Sequence, residues 1–135
     1  MPTLTPTLTL KSTDAFSDEL NFSVTDSLSV KAPSSSLSTV IATATGSDTI
    51  IVPAGTATVY LFVRHTGTTN GTTTSGAQVV DVEETGDAAF ARLSSGEWLF
   101  IPFSHHAGNV GVQLHLPNTT HASAVQMEYA YWTKA

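Results

Sequence analysis

Apolar residues along this chain recur at alternate positions, the spacing of a half-buried strand, over most of its length. The densest run is Gly96 to Phe103, Gly-Glu-Trp-Leu-Phe-Ile-Pro-Phe. Side chains alternate across a strand, which puts Trp98 and Phe100 on one face and Leu99 and Ile101 on the other. Both faces are apolar, so this strand is expected to be buried on both sides. In a chain this small such cover comes from a sandwich or a barrel. Pro102 has no N–H for a ladder and marks the end of the strand or an edge.

The rest of the chain reads as short strands between turns. Residues 1–11 form an arm in which Leu4, Leu8 and Leu10 alternate with threonines, while Pro2 and Pro6 keep it out of a central strand. The arm either hugs its own domain as an edge or crosses to a neighbouring subunit, and the second is preferred because terminal arms stay loose unless docked. Asp14 to Glu19 has turn or helical character. Leu20, Phe22 and Val24 alternate, as do Leu28 and Val30, giving two short strands or one bulged strand. Ala32 to Ser36 reads as a loop, Leu37 to Thr45 as a strand, Gly46-Ser47-Asp48 as a turn and Thr49 to Val52 as a strand. Ala57, Val59, Leu61 and Val63 then oppose Tyr60, Phe62 and Arg64 in a strand central by its apolar content.

Thr66 to Gly76 is a low-complexity loop around Asn70-Gly71, a strong hairpin dipeptide, so the preceding strand is expected to fold back onto Ala77 to Glu84 as a protruding hairpin. Ala88 to Leu93, Val110 to Leu116 and Ala124 to Trp132 complete a set of eight or nine strands. That spacing is the signature of an all-β antiparallel sandwich, jelly-roll-like, with residues 12–135 as one domain behind the arm.

Composition sharpens the picture. Ser and Thr make up roughly a quarter of the chain and charged residues only 12%, so solubility rests on hydroxyls. A net charge of −6 with five basic residues argues against nucleic acid, which needs clustered Lys and Arg. The absence of cysteine excludes disulfides and thiol chemistry. No apolar run approaches bilayer length and the N-terminus lacks the regions of a signal peptide, so synthesis in a cytoplasm and no membrane partner are expected. Asn21, Asn70 and Asn118 stand in Asn-x-Ser/Thr triplets, of which about one is expected by chance in a chain this rich in Ser and Thr, and without a signal peptide glycosylation is not expected.

The candidate chemistry is thin. His105, His106, His115 and His121 cluster in the last third but lack metal-ligand spacing, and they read as surface histidines. Asp81, Glu83, Glu84 and Asp87 flank a glycine turn as calcium ligands would. They lack the EF-hand register and read as a solvated edge. Trp98, Trp132, Tyr129 and Tyr131 could form a platform for sugar rings, with Trp132 the first expected to be exposed; core or interface is the competing reading. No nucleophile elbow or phosphate loop is present. No catalytic residue, cofactor or metal site is assigned, and the chain is not expected to be an enzyme.

Two segments carry a resemblance. Leu93-Ser-Ser-Gly-Glu-Trp-Leu-Phe-Ile-Pro-Phe103 is similar to the "Leu-x-x-Gly-Glu, apolar run, Pro" strand of small structural proteins of tailed bacteriophages, and Val125-Gln-Met-Glu-Tyr-Ala-Tyr-Trp132 resembles their closing strand. With the small, cysteine-free, Thr-rich β pattern, the chain resembles head decoration or cement proteins. The resemblance implies a virion protein that binds the major capsid protein, commonly as a homotrimer, and strengthens the shell without turnover. The residues expected to meet a partner are Leu4, Leu8, Leu10, Asn70 and Trp132. The alternatives are a tail, baseplate or fibre module, or a carbohydrate-binding module using surface aromatics.

Overall fold

The structure, a computed structural model, describes residues 1–14, 17–43, 48–56, 58–106, 108, 110–117 and 124–135. The expected turn residues Gly46 and Ser47, the inward position of Ala57, and Asn118 and His121 lie outside them. The described residues form twelve strands and no helix, and the chain is all-β and antiparallel. It divides into two compact units, residues 1–31 with 134–135, and residues 32–133. The boundary expected after residue 11 falls inside a strand.

In the first unit β1 (Thr3–Leu4) pairs with the start of β4 (Leu28–Ser34), Leu4 opposite Leu28, and β2 (Thr7–Ser12) forms a two-stranded ribbon with β3 (Leu20–Thr25). The arm is therefore structured by pairing within its own unit. Its prolines do not prevent this, because a proline lacks only the donor; its carbonyl still accepts. Val30 N donates to the Pro2 carbonyl at 3.0 Å and Asp26 N to that of Pro6 at 3.1 Å. β1 and β2, together with β3 and β4 standing as two strands rather than one bulged strand, bring the number among the described residues to twelve rather than eight or nine.

The second unit is a sandwich. One sheet holds β5 (Ser38–Ala42) and the end of β4 along one edge of β12 (Val125–Lys134), then β7 (Thr58–His65), then β10 (Trp98–Ser104). The other runs β6 (Thr49–Val52), β11 (Val112–His115), β8 (Val80–Glu84), β9 (Ala89–Leu93). Alternation sorts the side chains. Val59, Leu61, Val63, Phe103, Val125, Met127 and Tyr131 from the first sheet meet Ile51, Val52, Val80, Val82, Leu93, Val112 and Leu114 from the second in one buried cluster. β-Branched residues dominate it, as strand propensity favours. Gly111, at φ +93°, lets β11 lie against β6: a Cβ there would come within 2.6 Å of the Val52 carbonyl oxygen.

Three expectations change. Residues 32–34, read as loop, continue β4 beside β12, where Ser35 N donates to the Tyr131 carbonyl at 2.9 Å and Thr133 Oγ1 donates to the Pro33 carbonyl. β7 does not fold back onto β8, since the two lie in different sheets; the loop between them closes on itself through a single bridge, Thr68 opposite Thr74. β10 is an edge strand buried on one side only. Leu99, Ile101 and Phe103 face the core, while Trp98 stays 53% exposed. Pro102 does stand on an edge strand, and β7 is central as its apolar content suggests.

Leu61 is fully buried at the middle of β7, paired on both sides. Leu61→Ala should lower the unfolding free energy by about 2–5 kcal/mol, the usual cost of a large-to-small core change, measured by equilibrium denaturation.

Candidate functional site

Among the described residues, two surfaces and two polar clusters stand out as candidate sites. The first surface is the β2–β3 ribbon of the first unit. Its register sets Leu8 opposite Val24 and Leu10 opposite Phe22, so these four side chains share one face. They are 37%, 49%, 46% and 47% exposed. The other face is hydroxylic: Thr7 Oγ1 and Thr25 Oγ1 lie 2.8 Å apart, and Thr9 Oγ1 and Ser23 Oγ 3.1 Å apart. Of the expected partner residues, Leu8 and Leu10 are brought together here. Leu4 is not; it sits in β1, half-buried against a different strand. Phe22 and Val24 were legible as alternating positions, but nothing in the linear pattern named their partners.

The second surface is the outer face of β12, β7 and β10. Register places three rows across it: Trp132, Tyr60 and Pro102; Ala130, Phe62 and Phe100; Glu128, Arg64 and Trp98. Tyr60 and Phe100 stack with ring centroids 6.3 Å apart and planes 11° from parallel. Arg64 Nη1 reaches Glu128 Oε2 at 3.5 Å, a contact between two partly exposed groups. A shallow groove of about 380 Å³ is lined by Phe62, Arg64, Gly96 and Trp98. Thus the expected aromatic quartet separates. Trp98 and Trp132 share the outer face, Tyr129 and Tyr131 turn inward to the core, and the most exposed tryptophan is Trp98, with Trp132 half-buried. The cause is parity: Trp98 faces out on an edge strand, where one side has no neighbour to cover it.

Asn70 is exposed, yet its side chain serves its own turn. Its Oδ1 accepts from Thr72 N at 3.1 Å, Thr72 Oγ1 at 3.1 Å and Thr73 N at 2.9 Å.

The four carboxylates expected at a solvated edge are divided by strand parity and two of them are buried. β8 is an interior strand, with Asp81 and Glu83 on its outer face and Glu84 on its inner one. Arg92 donates Nε and Nη2 to the two oxygens of Asp81 at 2.6 and 2.9 Å. Beside them Asp48, Glu83 and His115 hold one ligating atom each within 4.8 Å of one another. These oxygens already accept from Gln113 Nε2, at 2.8 Å to Asp48 and 2.7 Å to Glu83, and from His115 Nδ1, at 2.7 Å to Asp48. Glu84, Asp87 and His106 form a similar group, but Glu84 Oε1 accepts from His106 N at 2.7 Å and lies 3.1 Å from His105 Nδ1. Both clusters could offer a cation ligands only by giving up these internal bonds. His105 is not a surface residue; its ring is buried, with Nε2 donating to the Thr56 carbonyl at 2.7 Å and Phe103 edge-on at 5.1 Å.

No family model, curated protein or solved structure matches the chain.

Of the described polar residues that the fold buries, several were not singled out in the sequence, His65 among them. His65 continues the inward row of β7 after Val63, a parity that was available to be read. Its Nε2 donates to the Gln78 carbonyl at 3.1 Å and its Nδ1 accepts from Gly67 N at 3.0 Å, so the ring ties both ends of the loop that follows it. Burial pushes His65 below the ordinary histidine value, whereas the hydrogen bond to Asp48 pulls His115 above it, with the charges of Glu83 and Asp81 adding to the effect.

The two shifts act with opposite sign on stability. The neutral His65 stabilises above the unfolded histidine value of about 6.5, and this is lost as pH falls toward its lowered folded value. The His115–Asp48 pair stabilises fully below about 6.5, and this is lost as pH rises through its raised folded value. In denaturation curves from pH 5 to 8.5, His115→Asn should reduce the decline on the alkaline side and leave the acid-side decline in place.

Proposed function

We propose that this chain is a non-catalytic structural subunit that docks onto a larger assembly through the apolar face of the β2–β3 ribbon. The observation that carries this reading is the exposure of Leu8, Leu10, Phe22 and Val24 together on one side of two strands. A two-stranded ribbon is marginally stable by itself in water. Burial of such a face is favourable by about 25 cal/mol per Å² of apolar surface, so a partner that covers it supplies both affinity and order.

The resemblance to head decoration proteins supports a phage capsid shell as the assembly and its major capsid protein as the partner. Decoration needs a subunit that stays soluble, avoids packaged or free DNA, and adds many modest contacts. A net charge of −6 suits the second requirement. Presentation of three ribbons by a homotrimer suits the third, because linked weak contacts sum to tight binding. The protein then acts in the virion, after synthesis in the host cytoplasm, and turns over no substrate.

Removing residues 1–11 would take β1 from β4 and nearly all of β2 from β3, so point substitutions are the cleaner test. The variant Leu8→Thr, Leu10→Thr, Phe22→Thr, Val24→Thr keeps strand propensity and removes the apolar face. It should lose at least tenfold in co-sedimentation with purified heads of the cognate phage while its circular dichroism stays that of the parent. Undiminished binding would refute the ribbon's role, and light scattering of the parent should give the mass of a trimer.

A further inference from the structure

We propose that the outer face of β12, β7 and β10 is a carbohydrate site that takes one or two neutral pyranose rings in the groove between Trp98 and Phe62. This inference is independent of the ribbon, since it rests on other residues in the other unit.

The argument begins with parity. Because Leu99, Ile101 and Phe103 turn inward, β10 must present Trp98 and Phe100 outward, and β7 and β12 set Phe62, Tyr60 and Trp132 beside them. A tryptophan left 53% exposed beside rows that hold Phe62, Phe100, Tyr60 and Trp132 forms an exposed aromatic patch, and such patches mark binding sites. Aromatic faces carry negative charge density, which attracts the slightly positive C–H groups on the flat side of a pyranose. The groove, at about 380 Å³, lies at the small end of the 300–1,000 Å³ range of ligand sites, the scale of one or two sugar rings.

Charge selects among occupants. The charged side chains in these three rows, Arg64 and Glu128, touch each other at 3.5 Å, so the rows around the groove offer donors and acceptors with no net charge. Sugar hydroxyls need both, each being a donor and an acceptor. A phosphate backbone, an anionic lipid or an acidic polysaccharide needs excess positive charge, which a chain with five basic and eleven acidic residues does not place here. An apolar peptide laid over the patch would bury the Arg64–Glu128 pair without replacing its water, at a cost. Strand addition along the free edge of β10 is opposed by Pro102, which supplies no N–H.

The test is saturation-transfer NMR of the full chain with maltose, cellobiose, lactose and chitobiose at millimolar concentration, with tri-galacturonate as the acidic control. At least one neutral disaccharide should receive saturation at its ring protons. Trp98→Ala should weaken that binding at least tenfold, and Trp98→Phe should retain a measurable part of it. The four-threonine ribbon variant should bind the sugar as the parent does. No transfer to any of the four neutral probes, equal binding by the folded Trp98→Ala protein, or preference for tri-galacturonate would overturn the proposal.

Discussion

The register of β7 is the constraint on which the second unit depends. One parity of this strand carries Val59, Leu61, Val63 and His65, all fully buried, and the other carries Tyr60, Phe62 and Arg64. A slip by a single residue against β10 and β12 would exchange the sets, putting a guanidinium into the core and three aliphatics into water. The long antiparallel pairings on both sides, seven residue pairs each, prevent this slip. His65 ends the inward row with a polar group that is satisfied at both nitrogens, which also anchors the loop at its two ends. Packing and loop order thus follow from the same alternation.

That alternation also explains the sheet's second apolar face. An interior strand with large apolar residues on both sides would ordinarily lie between two layers. Here the outer rows pack on each other, Tyr60 on Phe100 within the sheet, so the layer is covered partly by itself and the remainder stays open at the edge. The second sheet solves the opposite problem. Its outer face carries a polar, acidic cluster in which Asp81, Asp48 and Glu83 are held by Arg92, Gln113 and His115. A charge-poor chain spends a large share of its charged groups there.

The two exposed apolar surfaces differ in kind, and the difference bears on their proposed uses. The ribbon is mainly aliphatic, with hydroxyls on its back and no charge within the four-residue face, which suits broad contact with protein. The sheet face is aromatic, grooved and bordered by an ion pair, which suits a small amphiphilic ligand. A shell protein with a sugar site would join attachment to the assembly with contact to the surroundings, each in a separate unit of the chain.

How far the sequence reached depends on the range of the forces involved. Period-two alternation is local, so the all-β class, the antiparallel sandwich, the strand from Val59 to Arg64 and the inward and outward sets of most strands could be read directly. So could the turn at Asn70-Gly71, since an Asx turn is made within four residues. Pairing is not local. That the arm would meet β3 and β4, that β7 and β8 would part into different sheets, and that Trp98 rather than Trp132 would be the exposed indole all depend on which strand lies at an edge. Alternation assigns a residue to a face, but a face becomes core or surface only when another layer arrives to cover it. The acidic turn shows the same limit: parity separates Glu84 from Asp81 and Glu83, yet only the fold brings Asp48, Gln113 and His115 to one side and His105 to the other. The sequence by itself determined most of the strands and their two faces, because those follow from backbone geometry; tertiary structure alone decided which faces stayed in water, because burial is a property of neighbours distant in the chain.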